Sequence, residues 1–175
     1  MGTNGSDTRP EVGPRAAFAL LRRRSFGPYF AGNALSASGT WFQNLAAALL
    51  VYRQTHSALL LGVLNFSQFL PILLFAPWAG AAADRWNRRQ LLLVTQPVSI
   101  VLSAGLGLLA HLDLAPTGVV IADAAALGVV SAFSAPAQQA LIPSLVEEDE
   151  VPTAVALNSM TFNLARAIGP ASAAL

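Results

Sequence analysis

Residues 80–89 read Gly80-Ala81-Ala82-Ala83-Asp84-Arg85-Trp86-Asn87-Arg88-Arg89, a compact charged knot in a chain whose 175 residues hold only ten basic and nine acidic side chains. On either side the sequence turns apolar for twenty residues or more, from about Ser57 to Ala83 before it and from about Gln90 to Ala110 after it. About twenty apolar residues in helical form cross the ~30 Å hydrocarbon core of a bilayer. The knot therefore reads as a tight turn between two membrane-spanning helices. The first of these carries Pro71 and Pro77, which membrane helices accept better than soluble ones.

Outward from this turn the pattern repeats. An uncharged apolar stretch runs from about Tyr29 to Tyr52 and ends in the polar turn Arg53-Gln54-Thr55-His56. After the third stretch comes a short loop, His111 to Pro116, and a fourth stretch from about Thr117 to Ala135. The chain then crosses Pro136 and Pro143 into Glu147-Glu148-Asp149-Glu150, and a fifth helix begins near Pro152 and runs to Leu175. Proline in a first helical turn is tolerated. The expected fold class is an all-α membrane protein with four transmembrane helices and most of a fifth.

Composition supports this and closes off alternatives. Apolar residues make up 54% of the chain and charged ones 11%, against about a quarter charged in soluble domains. A soluble helical bundle would keep a polar face on each helix, whereas the only charges inside these spans are Asp123 and Arg166. A net charge of +1 gives no basis for nucleic-acid binding. The absence of cysteine removes disulfides and thiolate metal sites. No nucleophile–base pair, metal-spaced cluster or phosphate-binding glycine loop is visible, so neither an enzyme nor a cofactor or metal site is expected. Gly105 and Gly107 fall in mid-span and read as helix packing, and His56 and His111 as exposed loop residues.

Residues 1–25 lack the apolar core of a signal peptide and are rich in Gly, Pro and Arg. They read as a disordered cytoplasmic segment preceding a membrane unit over 26–175. With the N-terminus inside, Arg9, Arg15, Arg22, Arg23, Arg24, Arg85, Arg88 and Arg89 all fall on the cytoplasmic side and only Arg53 outside. Basic residues set this orientation and acidic ones count for little, so the run at 147–150 does not oppose it. The expected location is the cell (inner or plasma) membrane, with multiple passes.

The turn at Gly80, Asp84, Arg85, Arg88 and Arg89 resembles the signature loop of the major facilitator superfamily, in spacing and in position after the second helix. Asn87 stands where that family usually has a second glycine; asparagine tolerates the left-handed conformation. Residues 39–58, 133–143 and the fifth-helix pieces 156–159, 163–166 and Gly169-Pro170 are similar to the drug and siderophore exporter branch, which includes the enterobactin exporter and macrolide efflux proteins. Gln138 replaces an arginine common there, and Ala173-Ala174 replaces a Gly-Gly pair. The resemblance implies proton-coupled export of a small molecule, a drug, siderophore or metabolite, through an N-terminal six-helix half that is incomplete here. Its partners would be the lipid bilayer, protons, the substrate and the missing C-terminal half. A truncated membrane protein without transport activity, acting as a binding or accessory subunit or having no function, is the alternative.

The intramembrane polar residues are the candidate pathway. Asp123 lies about 9 Å into its span by helical rise and Arg166 about 21 Å into the next from the opposite side, so in a ~30 Å core their depths coincide. Asp123 reads either as a proton or substrate site or as a group reaching water at the interface. Arg166 reads as its ion-pair partner, a carbonyl-capping residue or a substrate contact. Gln43, Asn44, Asn65 and Gln68 either line the pathway or bond helices together, and Gly169 and Pro170 pack the fifth helix.

The orientation is testable because the chain is cysteine-free. In intact cells an impermeant thiol reagent is expected to label single cysteines at Thr55 and Asp113 and to spare one at Asn87. Labelling of Asn87→Cys alone would invert the topology.

Overall fold

The computed structural model describes residues 13–172, and every regular element among them is helical. A short helix α1 (Pro14–Leu21) precedes five long ones: α2 (Phe26–Thr55), α3 (Ala58–Arg85), α4 (Arg88–His111), α5 (Thr117–Leu141) and α6 (Val151–Ser172). Two single 3-10 turns, Ile142–Ser144 and Glu148–Glu150, link α5 to α6. Three segments, Ala58–Ala83, Arg88–His111 and Thr117–Ser144, have both the length and the apolarity to cross a membrane. The 30 residues of α2 and 22 of α6 have the length, about 1.5 Å per residue. Ser, Gly, Thr, Asn and Gln dilute their apolarity. The bundle's exterior is apolar all round: Leu59 and Leu73 are 77% and 75% exposed, and Phe66, Leu93, Val101 and Leu108 also point outward. Water-soluble proteins rarely present so continuous an apolar surface, and lipid tails favour it.

Helix ends are set by capping groups rather than by where hydropathy falls, so each helix overruns its apolar stretch. The Ser57 hydroxyl accepts from the Leu60 N–H, and the Asn87 amide oxygen accepts from the Arg89 N–H, satisfying first-turn donors. Glu147 and Glu150 form a capping box ahead of α6. The fourth span, expected to end at Ala135, continues through Pro136 to Leu141. A proline removes one N–H from the ladder, and membrane helices absorb that loss. At the C-terminus of α4, Leu114 N–H bonds the Leu109 carbonyl and Asp113 N–H the Ala110 carbonyl. With Asp113 at φ 57, this is a Schellman stop.

The N-terminal segment differs from expectation where it is described. Residues 14–21 are helical, and Leu20 and Phe26 are buried in one cluster with Ile142 and Ala154. An apolar stripe on this short helix docks it on the end of the bundle, so the expected disorder to residue 25 does not hold there. Residues 1–12 lie outside the described residues. Arg23 at this end bridges Glu147 at 3.1 Å and Glu150 at 2.8 Å, while the Ser25 hydroxyl donates to the Leu145 carbonyl. At the opposite end Gln54 donates to the Ala115 carbonyl and accepts from Thr117, fastening the α2–α3 turn to the α4–α5 loop.

The long helices pack by alternation. α5 lies against α3 and α4, and α6 lies against α2. Pairing α2 with α6 mirrors pairing α5 with α3, as an inverted repeat requires when the first helix of each unit packs on the second helix of the other. The α3–α5 seam is built on small residues: Val120, Ala124, Gly128 and Ala132, four apart, are all buried. Such a stripe lets two backbones approach. At Gly128 the approach is so close that a β-carbon would collide with the Gln68 carbonyl. Gly105 and Gly107, read above as packing glycines, and Gly80 of the charged turn meet nothing within contact range at the Cβ position. Their helices approach no neighbour there. Gly169 and Pro170 fall in α6, and their packing lies outside what the structure describes.

Gly128→Val is therefore expected to cost about 1–3 kcal/mol by overpacking or to prevent folding, read as loss of monodisperse protein after heating in detergent. Gly105→Ala should leave that profile unchanged or improved, since helical Ala is favoured over Gly by about 1 kcal/mol. Equal tolerance of both changes would contradict the seam.

Candidate functional site

Four helices bring amides, a hydroxyl and one carboxylate together inside the bundle. Gln43 of α2 donates from Nε2 to Asp123 Oδ2 of α5 at 3.0 Å, and its Oε1 accepts from the Ser103 hydroxyl of α4. One residue on, Asn44 Oδ1 accepts from Gln68 Nε2 of α3 at 3.0 Å. Asn65 bonds back to the Leu61 carbonyl of its own helix. Interhelical bonds of this kind hold membrane helices together at about 1 kcal/mol each. Among the described residues no buried side-chain nitrogen or oxygen lacks a partner.

Two spaces adjoin this cluster. A small one, about 30 Å³, is lined by Gln43, Asn44, Asn65, Gln68, Asp123 and apolar neighbours. It has the room and the polar partners that one ordered water needs. A larger groove of about 790 Å³ runs between α2 and α4, with Ser36, Gln43, Gln96, Ser99 and Ser103 among otherwise mostly apolar walls and Arg53 at one end. Gln43 borders both. Of the expected pathway residues, Gln43, Asn44, Asn65, Gln68 and Asp123 are thus gathered at one place. Ser103 was missed by sequence reasoning, since a lone serine in an apolar helix usually bonds its own backbone.

Arg166 is elsewhere. Its guanidinium sits 5.7 Å from the centre of the Trp41 ring, and Trp41 also meets Phe162 edge-on. Asn33 and Asn158 add a 2.6 Å hydrogen bond to this α2–α6 interface. Trp41 and Gln43 are two residues apart on α2, hence about 200° apart around it. The expected pairing of Asp123 with Arg166 is corrected: they share a depth but face opposite sides of one helix. A cation over an indole face is stabilised without a carboxylate.

In the α3–α4 turn, Arg88 donates from Nη1 to the Ala140 carbonyl at 2.8 Å. It thereby satisfies a carbonyl at the negative end of α5. Arg85 and Arg89 are exposed, and Gly80 is half-buried. Asp84 stands in the last turn of α3, and its side chain lies outside what is described. The turn thus fastens α4 to α5 at the end where Arg23 fastens α1 to the α5–α6 link.

Comparison with known proteins agrees with this architecture. Residues 15–175 match the family model described as transmembrane secretion effector, of the major facilitator type. The staphyloferrin A transporter of Staphylococcus aureus is 35% identical over 146 residues, 83% of this chain and 37% of that protein. Macrolide efflux protein A of Streptococcus pyogenes is 25% identical over 150 residues, 86% of this chain and 37% of the relative. The match thus spans little more than a third of each curated relative. No solved structure matches. The family and these relatives are transporters, not enzymes. With an all-helical bundle, apolar outer faces and a family match over nearly its whole length, the chain belongs to the transmembrane secretion effector family of the major facilitator superfamily.

Proposed function

We propose that this chain is part of a secondary active transporter that exports a small molecule, a drug, siderophore or metabolite, in exchange for protons. The observation that carries the reading is Asp123. It is the one carboxylate inside the spans, it is held by an amide rather than by a cation among the described residues, and it borders a water-sized polar cavity. A charge at such depth costs about 3 kcal/mol on insertion scales. Taking up a proton removes that cost, and giving it up to a hydrated cavity restores the charge. Asp123 is therefore suited to carry the coupled proton. Arg166, over Trp41, serves structure in this reading.

The family relatives support the substrate class by their names, one a staphyloferrin A transporter and another a macrolide efflux protein. Transporters of this type place the substrate between two six-helix halves, and the larger part of each relative lies outside the match. The other wall of the pathway is assigned to that part, as is the partner of Asp84. The arginine asymmetry supports a cytoplasmic N-terminus and an inner- or plasma-membrane location.

In proteoliposomes holding the intact protein, an imposed pH gradient is expected to drive transport of a macrolide or siderophore probe. Asp123→Asn should abolish the pH-driven component while leaving probe binding within a few-fold of wild type. Undiminished pH-driven transport in Asp123→Asn would refute the carrier role.

A further inference from the structure

Gln43 occupies an unusual position. Its amide forms part of the wall between the small cavity at Asp123 and the α2–α4 groove. One end is committed to a carboxylate on α5 and the other to a hydroxyl on α4. A carboxylamide has an acceptor end and a donor end on one planar group, joined to its chain by a broad, roughly two-fold torsion. As long as Asp123 is ionised, Nε2 must face it, and Oε1 then faces Ser103.

Resting on the proton-carrier reading of Asp123, we infer that Gln43 is a positioning residue that relays the protonation state of Asp123 to Ser103 by turning its amide end for end. When the proton arrives on Oδ2, that oxygen becomes a donor and repels the Nε2 donor. A half-turn about the last side-chain torsion presents Oε1 to the new O–H and Nε2 to Ser103. The Ser103 hydroxyl, until then a donor to Gln43, becomes an acceptor. Its own hydrogen swings to the carbonyl one helical turn back, at Ser99, a bond open to any helical serine. No proton passes beyond Asp123. What passes is the sense of the hydrogen bond, from α5 through α2 to α4.

No other charged group competes for this role among the described residues. The neighbours of Asp123 from α2 and α3 are Gln43, Asn44, Asn65 and Gln68, all neutral. On α4 the polar residues lining the groove are Gln96, Ser99 and Ser103, also neutral. Arg53 lies at an end of the groove, and Arg166 is on the far side of α2. The polarity of the wall is thus set by one titratable group. A groove occupant would meet a Ser103 hydroxyl engaged as a donor in one state and as an acceptor in the other.

The test uses the intact protein in lipid, with side-chain-labelled glutamine and serine and pH titration. Infrared difference spectra report the protonated carboxyl of Asp123, as a band absent from Asp123→Asn. The side-chain amide resonance of Gln43, assigned by its loss in Gln43→Met, reports the turn. We expect the Gln43 resonance to shift in step with the carboxyl band and to become pH-independent in Asp123→Asn, and the Ser103 resonance, assigned by its loss in Ser103→Ala, to shift with the same midpoint and to lose that shift in Gln43→Met. An Asp123 band that titrates while the Gln43 resonance stays fixed, or a Ser103 shift that survives in Gln43→Met, overturns the relay and leaves the carrier reading intact. Absence of any titrating Asp123 band overturns both.

Discussion

The close approach of α5 to α3 at Gly128 is the constraint on which the rest of the bundle depends. With a backbone carbonyl in the space a β-carbon would need, α5 lies deep among its neighbours rather than at their edge. Asp123 is five residues from Gly128, a little over one turn along the same helix. Seating the seam therefore carries the carboxylate inward until it meets Gln43. A bulkier residue at 128 would push α5 outward and leave Asp123 short of its amide, with a charge exposed to lipid. The seam is made by what is missing from the side chains, and the polar cluster is made by what that closeness brings within reach.

The bilayer dictates what holds the helices together. Packing apolar residues together gains little when the surroundings are as apolar as the core. The helices are therefore held by shape and by hydrogen bonds. On α2 the bonds point toward α4 and α5 through Gln43, toward α3 through Asn44 and toward α6 through Asn33. α2 pays for this with apolarity, its polar residues leaving it less suited than α3, α4 and α5 to face lipid alone. The same feature makes it the helix through which the titratable group on α5 touches the groove.

Much of this was legible in the sequence. Apolar runs separated by charged or polar turns located the five long helices to within a few residues, because length and the absence of charge are direct requirements of the solvent. The exceptions have physical causes. Pro136 looked like a stop but costs only one backbone bond, so α5 runs on. The helix of residues 14–21 has an apolar stripe too short to stand out beside its arginines. Asp123 and Arg166 agreed in depth, and depth is what counting along a helix measures. The angle around α2 that separates them depends on which faces pack. Ser103 gave no signal at all, since its role exists only where Gln43 ends.

Asp123 faces Gln43 across the α2–α5 contact and is turned away from Arg166. The chain contains no cysteine, so paired cysteines test this directly in membranes with a short bifunctional thiol reagent. Gln43→Cys with Asp123→Cys is expected to cross-link within the chain, read as protease-resistant joining of the two halves after cleavage in the intervening loops. Asp123→Cys with Arg166→Cys, cleaved in the α5–α6 link, is expected to fall apart. Efficient joining of the second pair and none of the first would contradict the arrangement of the helices described above.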